Sequence, residues 1–227
     1  MDGTRPQILH FLLRHRAATV EDLAAAFHLA SATVRRHLDI LQRDSLVAYR
    51  RGRRKAGRPE YVYFLTEEGM DRLPKSYGRL LTTLMEELRA MTPDDLMGRD
   101  GRQLLEMVCR RVGERLVERH AGRVNGKTFE QQLVELVRVL GEEGFYPELD
   151  WASPGRLRIR LMNCPYRCAA QGNHAVCCID MSLIRNLLHT DVEREQCLAD
   201  GHPSCSYVVA VNPFALLQPV ETSTARA

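Results

Sequence analysis

The sequence predicts an α+β fold in which short helices precede a pair of strands, longer helices follow, and a mixed cysteine-rich region comes last. Three observations carry this expectation: helical spacing of apolar residues over the first forty positions, strand-like segments in two places, and an uneven spread of charge and cysteine. The chain has 227 residues, 44% hydrophobic and 27% charged, enough apolar content for two modest cores. Residues 1–64 hold 12 Lys+Arg against 6 Asp+Glu, whereas the remainder holds 20 against 23. No cysteine precedes Cys109, and six lie between Cys164 and Cys205. A basic head on a mildly acidic body points to a polyanion partner for the head and a different task for the body.

The head is read from three apolar stripes. Ile8, Leu9, Leu12 and Leu13 mark one helix, and Val20, Leu23, Ala24 and Phe27 mark a second. Ser31 is placed to cap a third, which carries Val34, Leu38 and Leu41 on one face. Two short helices, a tight turn and a third helix describe a helix-turn-helix, whose last helix enters the major groove of double-stranded DNA. Ser31, Thr33, Arg35 and Arg36 are its candidate contacts, with His37 displayed beside them, because arginine in the first turns reaches guanine edges or phosphate. Strands are then expected over residues 46–50 and 60–65. The stretch between them is strongly basic, with Arg50, Arg51, Arg53, Arg54, Lys55 and Arg58, while Gly52, Gly57 and Pro59 preclude helix. A basic hairpin in this position is a wing that lies along the DNA backbone or reaches into the minor groove.

Four segments follow from these signals: a winged helix-turn-helix over 1–70, connecting and dimerisation helices over 71–125, a cysteine-rich sensor region over 126–212, and a polar tail over 213–227. Tyr77, Leu81, Leu84, Leu88 and Met91 alternate in steps of four and three, the seam of a helix pair, and suggest a homodimer. Helices are expected about 102–120, with Cys109 in the apolar stripe, and about 129–143. A hairpin is expected over 146–162, a helix over 174–188, and strands over 192–198 and 204–211. No apolar run approaches the ~18 residues that cross a bilayer, and the charged N-terminus is no signal peptide. A cytoplasmic protein with reduced thiols and no membrane partner is expected. No nucleotide-binding, hydrolase or metalloprotease motif points to an enzyme.

Cysteines 164, 168, 177, 178, 197 and 205 crowd the last segment. Such density in a reducing compartment points to iron–sulfur or zinc ligation. The intervening gaps of three, eight, none, eighteen and seven residues lack the paired knuckles of a structural zinc site, so the cluster is the stronger reading. Cys164 follows a strand. Cys177 lies near a helix start, whose dipole favours thiolate, and Cys205 lies at a turn. Cys197 is the fourth candidate because it can face Cys205 across a hairpin. Cys168 and Cys178 compete with it, and His174, His189 and His202 rank below.

Residues 4–70, closing on GRPEYVYFLTEEG, resemble the winged-helix domain of the ArsR, MarR and DeoR groups of bacterial regulators. NCPY with Cys164, the twelve residues before Cys177, and VEREQCLADGHPSCSY with Cys197 and Cys205 resemble SufR-type regulators of iron–sulfur cluster assembly genes. That resemblance implies a homodimer with one 4Fe-4S cluster per subunit, which represses when loaded and is relieved when the cluster is lost.

Overall fold

The computed structural model describes residues 3–52 and 60–211, in two compact units that divide after Pro74. The tail expected over 213–227 lies outside the described residues.

The first unit runs α1 (Thr4–His15), α2 (Val20–Phe27), α3 (Ser31–Arg43), β1 (Val47–Gly52), β2 (Glu60–Leu65) and α4 (Glu67–Asp71). Ile8, Leu12, Leu23, Val34, Leu38 and Leu41 meet in its core, at 2% exposure or less. Each such side chain contributes roughly 1.5 to 3 kcal/mol of burial. α2 begins on a reciprocal capping box: Asp22 N–H donates to Thr19 Oγ1, and Thr19 N–H donates back to Asp22 Oδ2. His28, left-handed at φ 53°, makes the tight turn into α3. Ser31 is not the cap of α3. It is the first helical residue, and Ala30 precedes it in extended conformation without a side-chain bond. β1 starts one residue later than expected, because Leu46 N–H donates back to the Leu41 carbonyl, and it continues to Gly52. Its antiparallel register pairs Val47 with Leu65 and Gly52 with Glu60. Gly69 is demanded by packing: a Cβ there would sit 2.0 Å from the Leu46 carbonyl oxygen.

The second unit runs α5 (Tyr77–Arg89), α6 (Pro93–Leu96), α7 (Gly101–Val124), α8 (Phe129–Glu142), β3 (Pro147–Ser153), β4 (Arg156–Leu161), α9 (Arg167–Gly172), α10 (Cys178–Leu188), β5 (Val192–Gln196) and β6 (Cys205–Ala210). One 3-10 turn spans His174–Cys177 and another Leu198–Asp200. The helices expected as connectors therefore share one unit and one core with the cysteine-rich region. The four strands are antiparallel in the order β3-β4-β6-β5. Leu157, Ile159, Tyr207 and Val209 lie on its helix-facing side, all at 4% exposure or less. The other side is covered by charge, with Arg156 paired to Glu193 and Arg158 to Glu195.

Three expectations need correction. The helix expected over 174–188 is a 3-10 turn followed by a separate α-helix, since Asn173 Oδ1 accepts the Ala175 N–H and tightens the first turn. α9 was not expected, because Arg167–Gly172 is too short to show a periodicity. The expected seam of α5 is not one face: Leu84 packs against the core, as does its neighbour Leu80, whereas Leu81 and Leu88 are 60% and 57% exposed, with Met85 beside them at 56%.

Candidate metal centre and nucleic-acid interface

In the first unit α3 presents Thr33, Arg35 and Arg36 to solvent, while Ser31 is half-buried. His37, expected among the displayed residues, is half-buried too, and its Nδ1 lies inside without a hydrogen-bond partner. Arg35 lies 3.8 Å from Glu21 of α2, an exposed pair that holds it weakly. Arg50 and Arg51 are exposed on β1, and Arg50 stands 6.0 Å from the Phe64 ring centroid. Exposed Tyr49 and Tyr61 pack edge to face beside them, with centroids 4.8 Å apart. Arg53, Arg54, Lys55 and Arg58 lie outside the described residues. The exposed arginines of α3 and β1 offer phosphate and base-edge donors on a rigid scaffold.

In the second unit the sheet register assembles the thiols. Leu161, the last residue of β4, pairs with Cys205, the first of β6, so Cys164 leaves β4 beside Cys205. Gln196, the last residue of β5, pairs with Ser206, so Cys197 reaches Cys205 from the other side. Leu198 N–H donates to Cys205 Sγ at 3.3 Å. Cys177 ends the 3-10 turn and caps α10, with its sulfur 3.8 Å from that of Cys197. Cys164, Cys177, Cys197 and Cys205 thus line one buried cavity of about 10 Å³, room for about one water. Phe145 and Tyr166 contribute its apolar wall. Admitting a group larger than one ion requires these walls to part.

The two rivals lie elsewhere. Cys168 is exposed on α9, and half-buried Cys178 lines a separate groove between α7 and α10. Cys109 is fully buried in the α7 stripe, where desolvation pushes its thiol up to about 11. Among the histidines, His174 lies 3.5 Å from Asp200, and both are within 4.8 Å of the Cys197 sulfur.

Burial dominates the electrostatics of the cavity. Desolvation pushes the Cys164 thiol up to about 12 and raises Cys177 and Cys205 as well. The helix dipole expected to favour thiolate at Cys177 is outweighed by burial and by the nearby Asp180 carboxylate. Asp180 was missed by sequence reasoning. It also lines the cavity, and its Oδ2 accepts the Tyr207 hydroxyl at 2.7 Å. Burial raises its own carboxyl to about 6. The signal that could have found it is an acid on the apolar stripe Ile179, Leu183, Ile184 and Leu187.

Residues 2–49 match the family described as bacterial regulatory protein, arsR family. Comparison with curated proteins found no match. The PadR protein of Bacillus subtilis, in a crystal structure with operator DNA, aligns over 80% of this chain and 90% of that one, at 13% identity and a TM-score of 0.27. Among the described residues no helix is long and apolar enough to cross a membrane. With a helix-turn-helix that matches the arsR family model and a two-stranded hairpin after it, the chain is a DNA-binding transcriptional regulator.

Proposed function

We propose that the protein is a homodimeric repressor whose Cys164, Cys177, Cys197 and Cys205 hold one 4Fe-4S cluster per subunit. The observation that carries this reading is the convergence of four thiols, from four separate stretches of the chain, on one cavity. The donor set fits: sulfur from the loop after β4, from just after β5, from the start of β6 and from the N-cap of α10, with Phe145 and Tyr166 as apolar wall. When bound, such a cluster supplies ligation that oxidants can break. This chain's own contribution is to keep the Cys164, Cys177 and Cys205 sulfurs buried and protonated until they ligate. Protonated, buried thiols also react slowly with oxidants, which suits a reducing, cytoplasmic setting. Homodimerisation is supported by the exposed row Leu81, Met85 and Leu88, since one apolar face on a helix marks an interface.

The test is anaerobic reconstitution with iron and sulfide counting. Four iron and four sulfide per chain are expected, with loss in each of Cys164→Ser, Cys177→Ser, Cys197→Ser and Cys205→Ser. Cys109→Ser, Cys168→Ser and Cys178→Ser should load normally. A stable cluster in Cys177→Ser would sink the ligand set. If Cys197→Ser loads normally while Cys168→Ser loses iron, the fourth position belongs to Cys168.

A second reading has its own observation. The 3.8 Å separation of the Cys177 and Cys197 sulfurs suits a dithiol switch. There, two thiols lose two protons and two electrons to a peroxide, which is reduced to water, and a disulfide forms. Zinc at His174, Cys197 and Asp200 is the related metal alternative. Colour separates these from the leading reading, because zinc and dithiol forms do not absorb in the visible.

A further inference from the structure

The loop that carries Cys164 also holds the start of α5. Lys75 Nζ donates to Asn163 Oδ1 at 3.2 Å and to the Cys164 carbonyl at 3.4 Å. Ser76 donates its backbone N–H to the Pro165 carbonyl at 3.1 Å. Tyr77 Oη accepts the backbone N–H of Cys168 at 3.1 Å. Three successive residues are thus tied to four positions of one short loop. The loop is anchored at its Asn163 end: Asn163 is fully buried, and its side-chain amide donates to the Gly144 carbonyl at 2.7 Å. Its backbone N–H donates to the Phe145 carbonyl at 3.0 Å.

The helix side is not self-supporting. Ser76 occupies the N-cap position of α5, but its Oγ accepts the Arg79 guanidinium at 3.2 Å rather than a backbone N–H of the first turn, whereas α6, α7 and α8 each carry a reciprocal capping box. The opening turn of a helix leaves unsatisfied N–H groups and is where fraying starts. For α5 the missing order is supplied from the Asn163–Cys168 loop. Pro74, the residue before Lys75, is the last residue of the DNA-binding unit.

We propose that Lys75, Ser76 and Tyr77, clasped by the Asn163–Cys168 loop, couple the state of the thiol cavity to α5, which follows the DNA-binding unit in the chain. This rests on the reading that the cavity holds a metal centre. Ligation through Cys164 adds a tether to the loop, and a tethered loop holds the first turn of α5 more firmly than a free one. Coupling requires such a difference between two states, and here it is the order of one helical turn. Lys75 and Tyr77 are positioning residues: neither lines the cavity, and each acts through the Cys164 loop.

The experiment uses the full chain, metal-free and anaerobically reconstituted, with a duplex selected from a random pool against the reconstituted protein. Lys75→Met and Tyr77→Phe are made singly and together. Amide exchange over residues 76–80 and DNA affinity are measured in both states. Wild-type protein should show slower exchange in that turn when reconstituted, and an affinity ratio between states within the ~5- to 150-fold span typical of coupled sites. In the double variant exchange should be fast in both states, and the ratio should fall to about unity. Its iron content should match wild type, and Tyr77→Phe, which removes one hydroxyl, should give an intermediate ratio. A double variant that keeps the wild-type ratio overturns the coupling and leaves the metal reading standing. A wild-type protein that loads no iron overturns both, and one that loads iron with a ratio of unity overturns the coupling and the sensor role together.

Discussion

At the scale of single residues, Asp180 shows how a buried charge sets the character of the thiol cavity. Burial raises its carboxyl to about 6, from the ordinary value near 4, despite the Tyr207 hydroxyl donating to it. The folded protein therefore holds this proton more tightly than the unfolded chain. Stability falls as pH rises between about 4 and about 6, and the full cost, on the order of 2 to 3 kcal/mol, stands above that window. Asp180→Asn removes the charge and keeps an amide that can pair with the Tyr207 hydroxyl. We expect the metal-free variant to melt several degrees above wild type at pH 7.5 and to coincide with it near pH 4. A difference that is constant across pH, measured by thermal melts, would show that shape rather than charge matters at this position. The residue was hard to read from sequence because a single acid within an apolar stripe resembles a solvated helix edge. Cysteines were legible for the opposite reason. Their chemistry is rare, and their crowding in one segment stands out without any structure. What spacing could not supply was the register, Leu161 opposite Cys205 and Gln196 opposite Ser206, that turns distant positions into neighbours.

At the scale of elements, periodicity located most helices, and capping chemistry set where they begin. Ser31 has the chemistry of a cap but starts the helix instead, while Thr19 with Asp22, Asp100 with Gln103, and Thr128 with Gln131 form the capping boxes. Those pairs sit three apart and were legible in principle; the acid or amide at the third position is the signal. Short elements such as α9 and the 3-10 turns carry too few residues to show a period, and tertiary bonds fix them. Thr19→Ala should lower the stability of the first unit by about 1 kcal/mol, seen as an earlier melt with DNA contacts untouched. The crossing of α7 and α10 depends on Gly113, where an added Cβ would lie 2.7 Å from Ser182 Cβ and 3.1 Å from the Ile179 carbonyl. Gly113→Ala should force the two helices apart, costing about 1 to 3 kcal/mol, and shorten the lifetime of the reconstituted protein in air because Cys177 caps α10. If α10 tolerates the methyl, melting temperature and lifetime will both match wild type. In the reader, Arg36→Ala should weaken binding to a selected duplex. Replacing Arg53 and Arg54 together should lower affinity for all duplexes and flatten its salt dependence, as fewer counterions are released. A salt slope equal to that of wild type would remove those two residues from the phosphate contacts.

At the scale of the whole molecule, the two units separate basic charge from cysteine, as the sequence does. The arsR-type head supplies exposed arginines on a small rigid core, and the body supplies the thiol cavity. Half-site contacts from one winged helix are weak, so a second copy is the usual route to specific binding. The apolar spacing in α5 pointed to a seam, and the structure divides that seam in two. Of its residues Leu84, with Leu80 beside it, serves the core of one chain, while Leu81 and Leu88, with Met85 between them, stay outside it. Sequence alone cannot separate these sets, because adjacent stripes on one helix differ by a single residue step. If the outward row joins two copies, replacing Leu81 and Leu88 together by Glu places like charges across a two-fold axis while sparing the inner row. The variant should elute as a monomer, keep its melting temperature within a few degrees, and load iron as wild type does. Its affinity for a selected two-half-site duplex should fall at least about tenfold, because the second half-site no longer adds its share, whereas affinity for a single half-site should hold. A dimer that survives both charges would move the interface off this face of α5. A monomer with undiminished two-site affinity would show that the reader needs no second copy.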